Sequence, residues 1–164
     1  MMNVSTKTEY GLRCLLLLAR QQGQTALSIS QIAGQERLPK HYVQQILLRL
    51  RRAGLVTSTR GTQGGFALAK PPSAISVAAV LRVLEGVPFE DACGHFNRKS
   101  DCGHLGGCGI RPVWQTISQR LWEALDRIHL LHLISDEKTV GQTLAIELPI
   151  LTSQTSEPRS SQPA

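Results

Sequence analysis

Residues 39–54, PKHYVQQILLRLRRAG, constrain the fold more than any other stretch of this chain. Val43, Ile46, Leu47 and Leu50 recur at three- and four-residue intervals, which puts them on one side of a helix that has to be covered. Pro39 suits the first helical position, where its missing N–H has no intrahelical partner to lose, and Gly54 suits the position after the last turn. The opposite side carries Lys40, His41, Gln44, Gln45, Arg49 and Arg52. Those side chains can hydrogen-bond to base edges or pair with phosphates. Taken alone, a solvated polar face of this kind is ordinary, so the segments around it decide what it means.

Upstream, SISQIAGQE opens with Ser28 and Gln31 in the S-x-x-Q spacing of a capping box, with Ile29, Ile32 and Ala33 on one face. Earlier still, Tyr10, Cys14, Leu17 and Leu18 keep helical spacing from Thr6 to about Gln22. Downstream, LVTSTR and FALA read as two short strands joined by a glycine-rich tip, for which Gly61, Gly64 and Gly65 supply positive φ. Arg60 stands at that tip, where a basic side chain can enter a minor groove. Two short helices, the second with a polar face, followed by a basic hairpin make a winged helix-turn-helix, in a DNA-binding domain over residues 1–72. Ser28 and Tyr42 complete its candidate DNA-binding surface.

Charge agrees with that order. Residues 1–70 carry ten Lys and Arg against only Glu9 and Glu36, a net +8, and the remainder is −2. A basic half on a near-neutral remainder is the footprint of a polyanion binder. Aromatic residues make up only 4% of the chain, so the core has to be built from Leu, Ile, Val and Ala. The longest apolar run, Cys14 to Ala19, is too short to span a bilayer, and the N-terminus lacks the layout of a secretory signal. The expectation is a soluble, cytoplasmic protein that is not an enzyme, since no nucleotide loop or nucleophile–base arrangement is found.

The second half divides into a KPPSAIS linker, a helix over residues 73–90 capped by Ser76, a cysteine loop over 91–111, and a long helix over 112–135. On that last helix Val113, Ile117, Leu121, Leu125, Ile128 and Leu131 form an apolar stripe of about five to six turns. A stripe of that length suggests packing against the same helix of a second chain, in a homodimer that reads two half-sites. The bland alternative folds it back on the first helix. His129 and His132 flank the stripe as amphipathic surface. Residues 136–164 read as a weakly structured tail, in which TVGQTLAIELPIL could be a strand or a partly docked segment.

The loop CGHFNRKSDCGHLGGC holds three of the four cysteines, Cys93, Cys102 and Cys108, spaced C-x8-C-x5-C. A zinc knuckle with two to four residues between its cysteines is missing, as are ferredoxin-type runs. Thiolates in a reducing compartment point to metal or redox chemistry rather than a structural disulfide. Iron–sulfur ligation, zinc, a thiol switch and incidental sulfur all stay open on spacing alone. Cys14, on the apolar face of the first helix, reads as core.

TKTEYGLRCLLLLA, the run from SISQIAGQE through RGTQGGFALAK, ISVAAVLRVLEG and the three-cysteine loop together resemble the winged-helix iron–sulfur-cluster transcription regulators of the IscR and NsrR type. The likeness extends from about Ser5 to Ser135. It implies a homodimer bound to double-stranded promoter DNA, with the Pro39–Ala53 helix in the major groove and Arg60 in the wing. It also implies an iron–sulfur cluster, 2Fe–2S in preference to 4Fe–4S, ligated by Cys93, Cys102 and Cys108. The histidine that IscR-type members carry three residues after the last cysteine is Arg111 here, which cannot ligate iron. NsrR-type members use an acidic residue early in the first helix of the partner subunit, and Glu9 matches that position. His95 and His104 are its rivals within the loop.

Overall fold

The computed structural model describes residues 5–21, 26–61, 64–86 and 109–147. It is mainly helical with one two-stranded antiparallel hairpin, as the sequence implies. Helix α1 (Thr6–Arg20) is capped by Ser5, whose side chain accepts from the Thr8 N–H. Helix α2 (Ile29–Glu36) starts on the expected box: the Ser28 Oγ accepts from Gln31 N, and Gln31 Oε1 accepts from Ser28 N. It ends at Arg37, a non-glycine residue in the left-handed region (φ 54°), where Leu38 N reaches back to Ala33 O at 2.9 Å.

Helix α3 (Lys40–Arg52) begins one residue later than the sequence suggested. Pro39 is its extended N-cap rather than its first helical residue, and the Pro39 carbonyl accepts from Tyr42 and Val43. Gly54 (φ 69°) then turns the chain out of α3, with Leu55 N bonded to Leu50 O. Val43, Ile46, Leu47 and Leu50 are buried as predicted, in one cluster with Cys14, Leu15 and Leu18 of α1, Ile32 of α2 and Val56 of the wing.

The wing pairs β1 (Val56–Thr59) with β2 (Gly65–Leu68), Val56 opposite Leu68 and Thr59 opposite Gly65. Of the three tip glycines, Gly61 alone has positive φ (119°). Gly64 and Gly65 serve a different end, close approach of backbones. A Cβ at Gly65 would lie 2.5 Å from the Leu27 carbonyl oxygen, and one at Gly64 2.5 Å from that of Thr59. The first of these approaches lets Leu27 and Phe66 exchange two backbone hydrogen bonds, which ties the wing to the start of α2.

KPPSAIS is not a free linker. Pro72–Ala74 form a 3-10 turn, and Ile75 is completely buried in the main cluster. Helix α4 (Val77–Glu85) is capped by Ser76, buries Val77, Ala78, Val80 and Leu84, and packs on α1 and α3, with Val80 and Leu84 in the main cluster. Helix α5 (Ile110–Arg127) admits Pro112 because the third helical position has no intrahelical N–H bond to lose.

The long helix read over 112–135 stops at Arg127, where tertiary pairing takes the backbone out of helical geometry. Val77 N donates to Ile128 O at 2.7 Å and Leu130 N to Ile75 O at 3.0 Å, with Ser76 and His129 bridged between them. Leu130–Leu133 then form a 3-10 turn, and Leu130 is buried in the winged-helix core. The stripe is therefore split. Ile128 is buried, Leu121 and Leu125 are half-buried, and Val113, Ile117 and Leu131 face solvent. Glu137–Glu147 form a further helix, α6, rather than a strand; it touches the Leu130–Leu133 turn, which fits the other reading of TVGQTLAIELPIL, a partly docked segment.

Cys14 is core, as expected. Burial, with the Glu36 charge second, pushes its thiol up to about 12. At pH 8 only about one molecule in ten thousand then carries the reactive thiolate. Peptide mapping after brief treatment with iodoacetamide should find Cys14 unmodified in native protein and fully modified in denaturant.

Candidate nucleic-acid interface

Because the apolar stripe of α3 is consumed by the core, its other side is committed to solvent. Lys40, His41, Gln44, Gln45, Arg49 and Arg52 are all exposed there, as predicted. Arg60 is exposed beside them on the wing. Among the described residues none of Lys40, Arg49, Arg52 and Arg60 takes part in an ion pair. Both carboxylates of the basic half are instead engaged by Arg13 of α1. Its Nε donates to Glu36 Oε2 at 2.9 Å, its Nη2 to the Glu36 carbonyl at 2.6 Å, and Glu9 lies 3.8 Å from its Nη1. Among the described residues no acid pairs with the cations on the outer face of α3, and Arg13 braces the end of α2 from which the turn into α3 begins.

Four features of this surface were not legible as such. Arg51 sits in the same basic turn as Arg49 and Arg52 but donates to Ser58 Oγ of β1 at 3.1 Å, so it joins α3 to the wing. Tyr42 is half-buried, edge-on to Tyr10 of α1 (5.6 Å between centroids) and to His41 (6.4 Å), which makes it a support for the exposed His41. Ser28 is bound to its capping box and leaves only its O–H to donate outward; with Ser30, Ser58, Thr59 and Arg60 it lines an open groove between the start of α2 and the wing. That groove offers first-turn N–H groups, hydroxyls and a guanidinium to a phosphate. Leu48, half-buried and outside the main cluster, lies among the polar residues of the outer face. An apolar residue out of phase with the core stripe is the signal that could have found it, and thymine methyls are the matching contact in a major groove.

These elements are matched by a family model described as Rrf2, iron-dependent transcriptional regulator, over residues 4–136. The chain belongs to the Rrf2 family. The regulator CymR of Bacillus subtilis is 44% identical over 85 residues, 52% of this chain and 62% of CymR. The solved structure titled as CymR, the global cysteine regulator of B. subtilis, superposes with a TM-score of 0.65 at 34% identity, covering 83% of this chain and all of that one. The structure of T. potens IscR gives a TM-score of 0.63 at 35% identity over 79% of this chain and 84% of its own. This Rrf2-family chain is thus a helix-turn-helix transcriptional regulator rather than an enzyme, with a DNA-binding winged helix. No helix among its described residues is long and apolar enough to cross a membrane.

Cys93, Cys102 and Cys108, with the rival ligands His95 and His104, lie outside the described residues. Arg111 is in the first turn of α5. Glu9, in the first turn of α1, has a side chain 60% exposed, with the 3.8 Å contact to Arg13 as its one ion pair among the described residues. Ser5 and Thr8 of the same turn both donate to Glu85, the last residue of α4, and these hydrogen bonds hold its carboxyl below the usual carboxylate range. Through Glu85, the start of α1 is joined to the point where the chain leaves α4 toward the cysteines.

Proposed function

We propose that this protein is a homodimeric regulator that binds promoter DNA through α3 and the wing and senses iron–sulfur, redox or nitric oxide status through its cysteine segment. The observation that carries the DNA-binding part is the outer face of α3, where base-reading amides and unpaired cations stand together next to the basic wing. The apolar face left open on α5 supports the second copy. Ile110, Val113, Trp114 and Ile117 are 63, 54, 39 and 46% exposed, four large apolar side chains within eight residues. A reader with one helix-turn-helix per chain gains its second half-site from such a partner.

For the sensor, Cys93, Cys102 and Cys108 with Glu9 of the partner subunit hold the cluster, 2Fe–2S in preference to 4Fe–4S, which when bound supplies a centre reactive toward oxygen and nitric oxide. The donor chemistry fits. Three thiolates suit iron, and Glu9 is an exposed carboxylate with one weak ion pair among the described residues. As the one oxygen donor, Glu9 would be the exchangeable ligand, and because it would come from the partner subunit it would tie the state of the cluster to the spacing of the two recognition helices and so to the affinity for DNA.

Protein purified without oxygen should contain iron and acid-labile sulfide and absorb in the visible, and Glu9→Ala should alter that spectrum. An unchanged spectrum removes Glu9 from the ligand set. A second reading is favoured by the likeness to a protein titled the global cysteine regulator: a cluster-free regulator that uses the cysteines as a thiol switch or senses a metabolite. Anaerobic protein without iron and sulfide, yet binding DNA, would establish that reading instead.

A further inference from the structure

Four side chains form a joint between α4 and α5 that neither the core nor the DNA surface explains. The Arg82 guanidinium forks onto Asp126, Nη1 to Oδ1 at 3.2 Å and Nη2 to Oδ2 at 3.0 Å. Its Cζ stands 4.8 Å from the centroid of the Trp122 ring. The Ser76 hydroxyl donates to the same Asp126 Oδ1 at 3.1 Å while its oxygen caps α4. Trp122 is 9% exposed on the α4 side of α5, and its indole N–H has no hydrogen-bond partner among the described residues. Packing and the guanidinium therefore hold the ring, not a hydrogen bond.

We infer that Arg82 and Asp126 set the angle at which α5 leaves the winged helix, and thereby determine the half-site spacing that the dimer reads. The inference rests on the dimeric reading above. Helix α4 packs on α1 and α3, so it moves with the recognition helix as one body. Beyond Asp126, the pairing of Ile128 with Val77 and of Leu130 with Ile75 pins the end of α5 at one point. Two backbone bonds at one end make a hinge, and the planar fork at Asp126, two residues before Ile128, fixes its tilt, which a point charge would not do. The free, apolar part of α5 is at the far end of this lever.

From Asp126 to Val113 the helix runs about 20 Å, so a tilt of about 10° displaces Val113 by about 3 Å. That displacement approaches the rise of one base pair, about 3.4 Å. Both partners of the fork are nearly half exposed, so the pair contributes little to folding and its effect is on geometry.

The test begins with an inverted repeat recovered by the wild type from a random duplex pool, remade with one base pair added to or removed from its spacer. Wild type should discriminate against both altered spacers by at least about tenfold, the scale of one mismatched position. Arg82→Ala and Asp126→Asn should retain dimer mass and single-half-site affinity, while discrimination falls below about threefold. Arg82→Lys, which keeps the charge and loses the fork, should behave like Arg82→Ala. Either fork variant keeping wild-type discrimination while dimeric overturns the inference. A wild type that stays monomeric or recovers a single half-site overturns the dimeric reading beneath it. Should Arg82→Ala fail to fold by circular dichroism, Asp126→Asn and Arg82→Lys decide alone.

Discussion

Leu47→Ala is expected to lower stability by about 2–5 kcal/mol, the range for truncating a buried leucine whose site only partly collapses. Leu47 has no solvent exposure and belongs to the cluster that joins α1, α2, α3 and the wing. Total stability of a domain this size is about 5–15 kcal/mol, so the loss is a large share of the whole. Thermal unfolding followed by circular dichroism should show a midpoint roughly 6–15 °C lower. Leu131→Ala is the matched control: that side chain is 51% exposed, and its truncation should change stability by less than about 0.5 kcal/mol. Equal effects from the two substitutions would mean that Leu47 is not part of the buried core described here.

The second large effect is on DNA affinity and its dependence on salt. The proposed dimer, with Lys40, Arg49, Arg52 and Arg60 on each subunit, has the cations for about 6–10 phosphate contacts. Its affinity should fall by about 10³–10⁵ between 50 and 200 mM salt. Arg52→Ala or Arg60→Ala removes one cation per subunit, and each should flatten the log–log salt slope by roughly 2 per dimer. Gln44→Ala should act differently. It should leave the slope unchanged while reducing the preference for the selected sequence over scrambled duplex by about 1–3 kcal/mol per half-site. Fluorescence anisotropy at several salt concentrations separates the two. A slope unaffected by both Arg52→Ala and Arg60→Ala would move the interface off α3 and the wing.

Much of this surface was legible because its determinants are local. A capping box, a proline before a helix, a glycine after it and an apolar repeat each act within about one turn, so Ser28, Pro39, Gly54 and the Val43–Leu50 stripe declare α2 and α3 without reference to the rest of the chain. The polar outer face follows once the stripe is buried. What each exposed side chain does was less legible, since it depends on neighbours from other elements. Arg51 and Arg52 are adjacent and chemically identical, yet only Arg51 meets Ser58 of the wing. Tyr42 looks like a contact residue in sequence and proves to be half core, because Tyr10 of α1 lies against it.

By itself, then, the sequence determined a basic winged helix-turn-helix with the exposed polar face of its third helix and its buried cysteine, Cys14. Tertiary structure decided where the long helix ends, and why. The apolar period runs on past Arg127 without a break, because a repeat records which side chains are to be buried and not what buries them. Ile128 and Leu130 give up helical hydrogen bonds for bonds to Val77 and Ile75, and Leu130 enters the core of the winged helix. Partners about fifty residues away in sequence make that exchange possible, and no window of local pattern contains them. The same distance hides the Arg82–Asp126 fork between α4 and α5, while Ile110, Val113, Trp114 and Ile117 at the other end of α5 stay exposed.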